Sequence, residues 1–269
     1  MSRIIQGMWI GRELSAMEQM SISSFLRNGH EYHLYVYEDV QRVPEGAVVR
    51  DASEILPASR IFQYTGFKSY AGFSDHFRYK LLLEKGGWWA DTDTVCLRPF
   101  DFDEEHVFSS EMDGDVEVIN CGIIKAPVGS EMMKYAWQVC QQKDPRRLSW
   151  GEVGPRLMAE AVRKFSLAKH RQPASAFCPI RFRDWHKVLE PDVSWSFDKT
   201  TCAIHLWNEM WRRSGQDKDG RYSPECLYER LQRKYLRGSG AGHHLVSNPA
   251  GADFGSIRPP VNRWRAGRT

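Results

Sequence analysis

The stretch from Ser74 to Phe100, SDHFRYKLLLEKGGWWADTDTVCLRPF, constrains the chain more than any other. It joins a helical pattern to a double glycine, an apolar strand and two aspartates, Asp91 and Asp93, separated by one residue. Ser74 suits a helix N-cap, and Asp75 in the first turn complements the helix dipole. Phe73, Phe77 and Leu81 recur every four residues, which gives the helix one buried face. Gly86 stands where a left-handed C-terminal cap is needed. Trp88, Trp89 and Ala90 read as the end of a buried strand, and Val95 to Leu97 as a short strand beyond it. The carboxylates therefore leave the core at a strand terminus, where open α/β sheets bind ligands. Asp75 and Arg78, three residues apart, share a helix face and can reach one site together.

Two carboxylates at the exit of a strand suit a divalent cation. Hard oxygen ligands favour Mg²⁺ or Mn²⁺, ions that keep some of their waters and take up phosphate oxygens. Taken alone, D-x-D is as readily a solvated turn, and the helix, glycines and strand around it give it weight.

The 269 residues, 42% of them apolar, suffice for one large domain or one domain with a lobe. The formal charge of +3 is not a nucleic-acid footprint. Its excess lies at the end, where Arg237, Arg258, Arg263, Arg265 and Arg268 face Asp253 alone. Such a tail suits peripheral contact with acidic lipids, although spread arginines are more often simply solvated. The six cysteines form no C-x-x-C pair, which argues against structural zinc and for buried, reduced thiols. The N-terminus has no apolar signal core, and no run approaches eighteen apolar residues. We therefore expect a cytoplasmic, bacterial protein, at most peripheral to the inner membrane.

Along the rest of the chain, residues 4–10 read as a buried strand, 16–28 as a helix closed by Asn28-Gly29, and 32–37 and 48–50 as further strands. That β-α-β order predicts a parallel sheet with crossover helices. A short helix near Ser53 to Leu56 is followed by a loop containing Phe62, Tyr64, Phe67 and Tyr70; loops of this length are often functional. Strands at 107–110 and 116–125 flank the turn Asp113-Gly114. Glu131 to Lys143 reads as an amphipathic packing helix, and Pro155 opens another helix over 156–165. Short strands are expected between 176 and 205, the last being Cys202 to Leu206 with His205 inside it. A final helix covers 226–236. From residue 237 the composition turns to Gly, Ser, Pro and Arg, so the expected organisation is one domain over 1–236 and a disordered basic tail over 237–269.

The string S-D-x-x-R, then G-G, an aromatic residue and D-x-D resembles the DxD-containing nucleotide-sugar glycosyltransferases, the group of the α-1,4-galactosyltransferases, initiating α-mannosyltransferases and glucosylating toxins. The resemblance is dense over Ser74 to Phe100 and thinner elsewhere. It implies a GT-A-type, Rossmann-like single α/β domain with a mostly parallel central sheet. It also implies transfer of a hexose from a nucleotide sugar, most simply a UDP-hexose, to an acceptor hydroxyl with retention of configuration. The acceptor would be a glycan, a lipid-linked glycan or a small molecule, and the setting bacterial polysaccharide or glycoconjugate synthesis. By the same resemblance Asp75 and Arg78 contact the donor sugar and diphosphate, Asp91 holds the ribose or a metal-bound water, and Asp93 ligates Mn²⁺ or Mg²⁺. Trp9, in Trp9-Ile10-Gly11, is placed beside the base, with a core aromatic the equal alternative. Asn120, in INCGIIKA, matches loosely a segment near the sugar. His205, in A-x-H-x-W, completes the metal shell or is a structural histidine. Glu152 before the G-P turn and Arg212 and Arg213 after the last strand are weaker candidates, for catalysis and for diphosphate respectively; solvated side chains are the simpler reading of all three.

Two other readings use the same residues. Asp91-Thr92-Asp93-Thr94-Val95 also fits the nucleophile loop of haloacid-dehalogenase-type phosphatases, with Asp91 attacking phosphorus. Those enzymes place the loop near the N-terminus and need a later Lys and a late acidic pair, whereas here about ninety residues precede the loop and the later region offers His205 and no clear G-D-x-x-x-D. A non-catalytic nucleotide-sugar-binding protein would keep the fold and lose the metal shell.

Overall fold

In the computed structural model, which describes residues 3–237, the first apolar run becomes β1 (Ile4–Trp9). Helix α1 (Ala16–Arg27) follows, started by a capping box in which Ser15 and Glu18 satisfy each other's backbone donors. The chain returns as β2 (Glu31–Val36) and β3 (Val48–Asp51). Both crossovers are parallel, β1 with β2 and β2 with β3, as the β-α-β pattern requires. Helix α2 (Ala71–Lys85) leads into β4 (Gly87–Ala90), which lies parallel to β1 with Gln6 opposite Trp89. Strands β6 (Val107–Asp113) and β7 (Val116–Ala126) form a hairpin, and β7 runs antiparallel to β4. The resulting sheet has the order β3-β2-β1-β4-β7-β6 and is mostly parallel. Strand β5 (Thr94–Cys96) leaves this sheet and pairs antiparallel with β8 (Ala203–His205).

The remaining helices are α3 (Glu131–Gln142), α4 (Leu157–Lys164), α5 (Ala174–Phe177), α6 (Asn208–Ser214) and α7 (Leu227–Gln232). Strand alternation sends the paired tryptophans of β4 to opposite faces of the sheet. Trp89 packs with Phe77, Met133 and Leu157 in one core layer, and Trp88 with Phe25, Phe100 and Phe177 in the other. A third cluster joins Met17, Val95, Trp211 and Tyr228 beneath β5 and β8. Each fully buried phenylalanine contributes roughly 1.5–3 kcal/mol, so the central strand is fixed from both sides.

Three expectations change. Helix α2 begins at Ala71 and not beyond Ser74, because the Ser69 hydroxyl accepts the Ala71 N–H and Ser74 N–H already bonds back to Tyr70. The second strand of the key stretch is Thr94–Cys96, one residue earlier than read. Between residues 176 and 202 the expected strands are replaced by α5 and a 3₁₀ turn over Phe182–Leu189. Pro179 and Pro191 remove ladder donors there. The expected basic tail lies, apart from Arg237, outside the described residues. No helix among the described residues is long and apolar enough to cross a membrane.

Candidate active site

Asp91 sits one residue past β4, and its N–H donates to the Gly122 carbonyl at 2.8 Å, prolonging the β4–β7 ladder. The next turn closes with Thr94 N–H on the Asp91 carbonyl at 3.0 Å and delivers Asp93 to the start of β5. Asp93 is then held from the other half of the chain. Thr94 pairs with His205, the Asp93 carbonyl accepts Leu206 N–H at 2.9 Å, and its carboxylate accepts Asn208 N–H at 2.6 Å. Between them Trp207 adopts a left-handed backbone, φ 61°, and stacks its ring on the His205 imidazole with 4.0 Å between centroids. The Trp207 indole N–H is itself secured on the Ile180 carbonyl at 2.8 Å.

Asp91, Asp93 and His205 offer ligand atoms that all lie within 4.8 Å of one another. His205 Nε2 is 3.2 Å from Asp93 Oδ2. A side chain at Gly122 would place its Cβ 2.8 Å from Asn120 Oδ1, 3.3 Å from His205 Cε1 and 3.4 Å from Asp91 Oδ2. The missing methyl keeps open a hollow among these groups. Two carboxylates and an imidazole around such a hollow fit a divalent cation of the Mn²⁺ or Mg²⁺ kind.

These groups pair with one another, and His205 would have to release its proton to ligate a metal. Burial raises the Asp91 carboxyl, Arg78 opposes the rise and Asp93 adds to it. Burial also works to raise Asp93, but His205 and the Asn208 N–H outweigh it, so Asp93 is held below its ordinary value. For His205 burial favours the neutral ring, and the Asp93 carboxylate overrides it and lifts the imidazole well above its usual range. Asp75, buried beside the same group, is pushed up to about 7 by desolvation, with Arg78 pulling it back. Asp75 and Asp91 thus share Arg78, while Asp93 is paired with His205.

Arg78 joins the helix to the motif. Its Nη2 lies 3.1 Å from Asp91 and 3.4 Å from Asp75, and Nη1 donates to the Cys121 carbonyl. The guanidinium rests over Trp89 at 4.9 Å, and the Trp89 indole donates to Asp91 Oδ1 at 2.8 Å. Asp75 is walled by the turn Glu152–Arg156: a Cβ on Gly154 would come within 2.6 Å of its Oδ2. Asn120 Oδ1 accepts Gly122 N–H at 2.6 Å, and its amide donates to Glu111 at 3.2 Å.

The structure therefore brings Asp75, Arg78, Asp91, Asp93, Asn120 and His205 into one cluster. Trp9 stands apart from it. The β1–β4 register brings Trp9 and Asp91 out on the same sheet edge, but the Trp9 indole donates to the Glu13 carbonyl and Lys218 covers its ring at 5.2 Å. Glu152 turns to Lys143, at 2.9 Å, and to Ser149, contacts that lower its carboxyl to about 2. Arg212 and Arg213 both pair with Glu209 at 2.7 Å, which uses the charge that a diphosphate would need.

Sequence reasoning did not single out Glu111, Cys178 or Gly122. Glu111 reaches the site only through the β6–β7 register, and Cys178 lies 3.8 Å from His205 Nδ1 through the fold of the 173–180 segment. Gly122 carried a signal, a glycine inside an otherwise apolar strand, which marks close approach. A hollow of about 550 Å³ between β7 and α4 contains none of these residues.

Comparison with known proteins places this cluster. Residues 15–113 match the family model described as "Glycosyltransferase sugar-binding region containing DXD motif". Residues 145–235 match the "Alpha 1,4-glycosyltransferase conserved region". The human "Alpha-1,4-N-acetylglucosaminyltransferase" is 25% identical over 206 residues, covering 69% of this chain and 55% of that protein. The human "Lactosylceramide 4-alpha-galactosyltransferase" is 34% identical over 74 residues, 22% of this chain and 21% of that protein. The chain thus spans about half the length of the first relative and less of the second. A solved structure described as "PaToxG Glycosyltransferase" covers 88% of this chain and 87% of its own, at 14% identity and a TM-score of 0.45. The first matched region contributes Asp75, Arg78, Asp91 and Asp93 and the second His205 and Asn208, so every residue of the cluster except Asn120 lies in a stretch that resembles a glycosyltransferase family.

Proposed function

We propose that this chain transfers a hexose from a nucleotide sugar to an acceptor hydroxyl and depends on a divalent cation to do so. The observation that carries the reading is the Asp91–Asp93–His205 cluster, set at the edge where β1 and β4 end and braced by Arg78. A bound Mn²⁺ or Mg²⁺ would supply positive charge to the departing diphosphate. The chain's own residues do the rest. Arg78 holds Asp91 and Asp75 in fixed orientation, with its guanidinium immobilised on Trp89. Asp75, largely desolvated, is placed to accept from a sugar hydroxyl, and the Asn120 carboxamide borders the same hollow. A base stacking on Trp9 at the same sheet edge would displace Lys218 from its ring. The names of the two human relatives, both α-1,4 transferases, support UDP-N-acetylglucosamine or UDP-galactose as donor and retention at the anomeric carbon. The acceptor class stays as broad as a glycan, a lipid-linked glycan or a small molecule. The six unpaired thiols support a reducing, cytoplasmic setting. The relatives compared are human, so a bacterial pathway forms no part of the proposal.

The phosphatase alternative would need Asp91 to attack through Oδ2, since Trp89 and Arg78 occupy Oδ1. The test is release of nucleotide from a panel of UDP- and GDP-sugars with and without Mn²⁺, run beside Asp93→Asn. Slow donor hydrolysis that needs the metal and falls roughly 10²–10³-fold in the variant is expected. Phosphomonoester hydrolysis without donor turnover would overturn the reading in favour of a phosphatase. Donor binding without any turnover would overturn it in favour of a binding protein.

A further inference from the structure

The exposed large hydrophobic side chains among the described residues are two valines and three aromatic rings, Phe67, Tyr70 and Trp150. The three rings are 41%, 37% and 38% exposed and come from only two segments. Phe67 and Trp150 meet edge to face at 5.2 Å, over Tyr64, which is 5.1 Å from Trp150 and almost fully buried. Tyr64 in turn lies on α2 at Gly72, where a Cβ would collide with its ring at 2.9 Å. The Arg213 guanidinium spans both exposed rings, 4.6 Å from Phe67 and 4.3 Å from Trp150.

The patch is held in place. The loop closes on itself through Tyr64 N–H to the Ser69 carbonyl at 2.9 Å and Lys68 N–H to the Tyr64 carbonyl at 3.0 Å. Helix α6 grips it: Arg212 donates to the Phe67 carbonyl at 2.7 Å and Ser69 donates to Glu209 at 3.1 Å. Ordered rings left open to water at this cost in hydration mark a binding surface.

Its position names the class of ligand. Tyr70 immediately precedes α2, which carries Asp75, and Trp150 precedes the turn whose Gly154 walls Asp75. Both arms are therefore continuous with the proposed donor site. Phe67 and Trp150, carrying the Arg213 guanidinium and bordered by Glu209 and Arg212, suit a pyranose, which offers C–H groups to the ring surface left open and hydroxyls to the charges. A lipid surface would instead meet a fixed set of ion pairs.

We propose that Phe67 and Trp150 form a stacking surface for the acceptor saccharide, an assignment that rests on the transferase reading above. The test uses full-length protein labelled with 5-fluorotryptophan. The Trp150 ¹⁹F signal is identified by its loss in Trp150→Phe and followed during titration with lactose, cellobiose and maltose. A saturable shift is expected with at least one disaccharide, weakened roughly tenfold by Phe67→Ala and retained in Phe67→Tyr, as loss of one stacking ring predicts. No shift with any of the three, a shift indifferent to Phe67→Ala, or an equal shift with sugar-free detergent micelles would overturn the platform. Donor hydrolysis by the unlabelled wild type is measured in parallel. Its failure would remove the transferase reading, whereas its success with a silent Trp150 would remove the platform alone.

Discussion

Asp75→Asn tests whether the buried acid beside Arg78 is held in the way the geometry implies. The Asp75 carboxyl rises from an ordinary 3.8 to about 7 because burial strips its water, and Arg78 recovers only part of the loss. Between those values the native chain keeps a proton that the unfolded chain has released, so stability falls as pH rises from about 4 to 7 and is level above that. At about 1.36 kcal/mol per pH unit the gap amounts to about 4 kcal/mol, with the opposing pull of Arg78 already contained in it. Asparagine fits the same space against Gly154 and cannot ionise. Urea unfolding of both proteins in EDTA at about pH 4.5 and about pH 8 spans most of that window and isolates the contribution, since the other titrations are shared. The wild type is expected to lose about 2–4 kcal/mol relative to the variant across that interval. Parallel pH profiles would show that Asp75 is ionised throughout and would refute the argument from desolvation.

Two further outcomes follow from the same structure. Gly122→Ala puts a methyl 2.8 Å from Asn120 Oδ1 and into the hollow beside Asp91 and His205, so the rise in Tm on adding Mn²⁺ to the wild type is expected to vanish while far-UV circular dichroism is unchanged; a full Mn²⁺ response in the variant would place the ion elsewhere. Ser15→Ala removes the capping box at the head of α1 and is expected to cost about 1 kcal/mol in urea unfolding, and an unchanged midpoint would show that the cap contributes nothing.

The elements that carry the carboxylates were legible because their signals are local. Phe73, Phe77 and Leu81 mark the buried face of α2, and Gly86 ends it with a positive φ of 61°, while the tryptophans announce β4. The start of α2 was not legible from Ser74, because the capping hydroxyl belongs to Ser69 in the preceding loop. His205 was readable as a candidate but its partner was not: only the β5–β8 pairing puts it opposite Thr94. The segment from 176 to 202 misled because short apolar runs look alike in strands and in turns, and prolines decide between them only once neighbouring strands are known. Glu111 and Cys178 approach the site through register and packing, which no spacing in the sequence encodes.

The clasp on Asp93 also fixes an order of assembly. Asn208, whose N–H caps that carboxylate, follows it by 115 residues, and the histidine comes from the same late segment. A nascent chain or a proteolytic fragment that stops short of β8 therefore carries both aspartates with no imidazole, no backbone cap and no partner for β5. Affinity for the proposed divalent cation would then be a readout of completion: it should appear only when the segment from β8 on has docked, and removal of that segment should abolish it even with every residue of the aspartate motif intact.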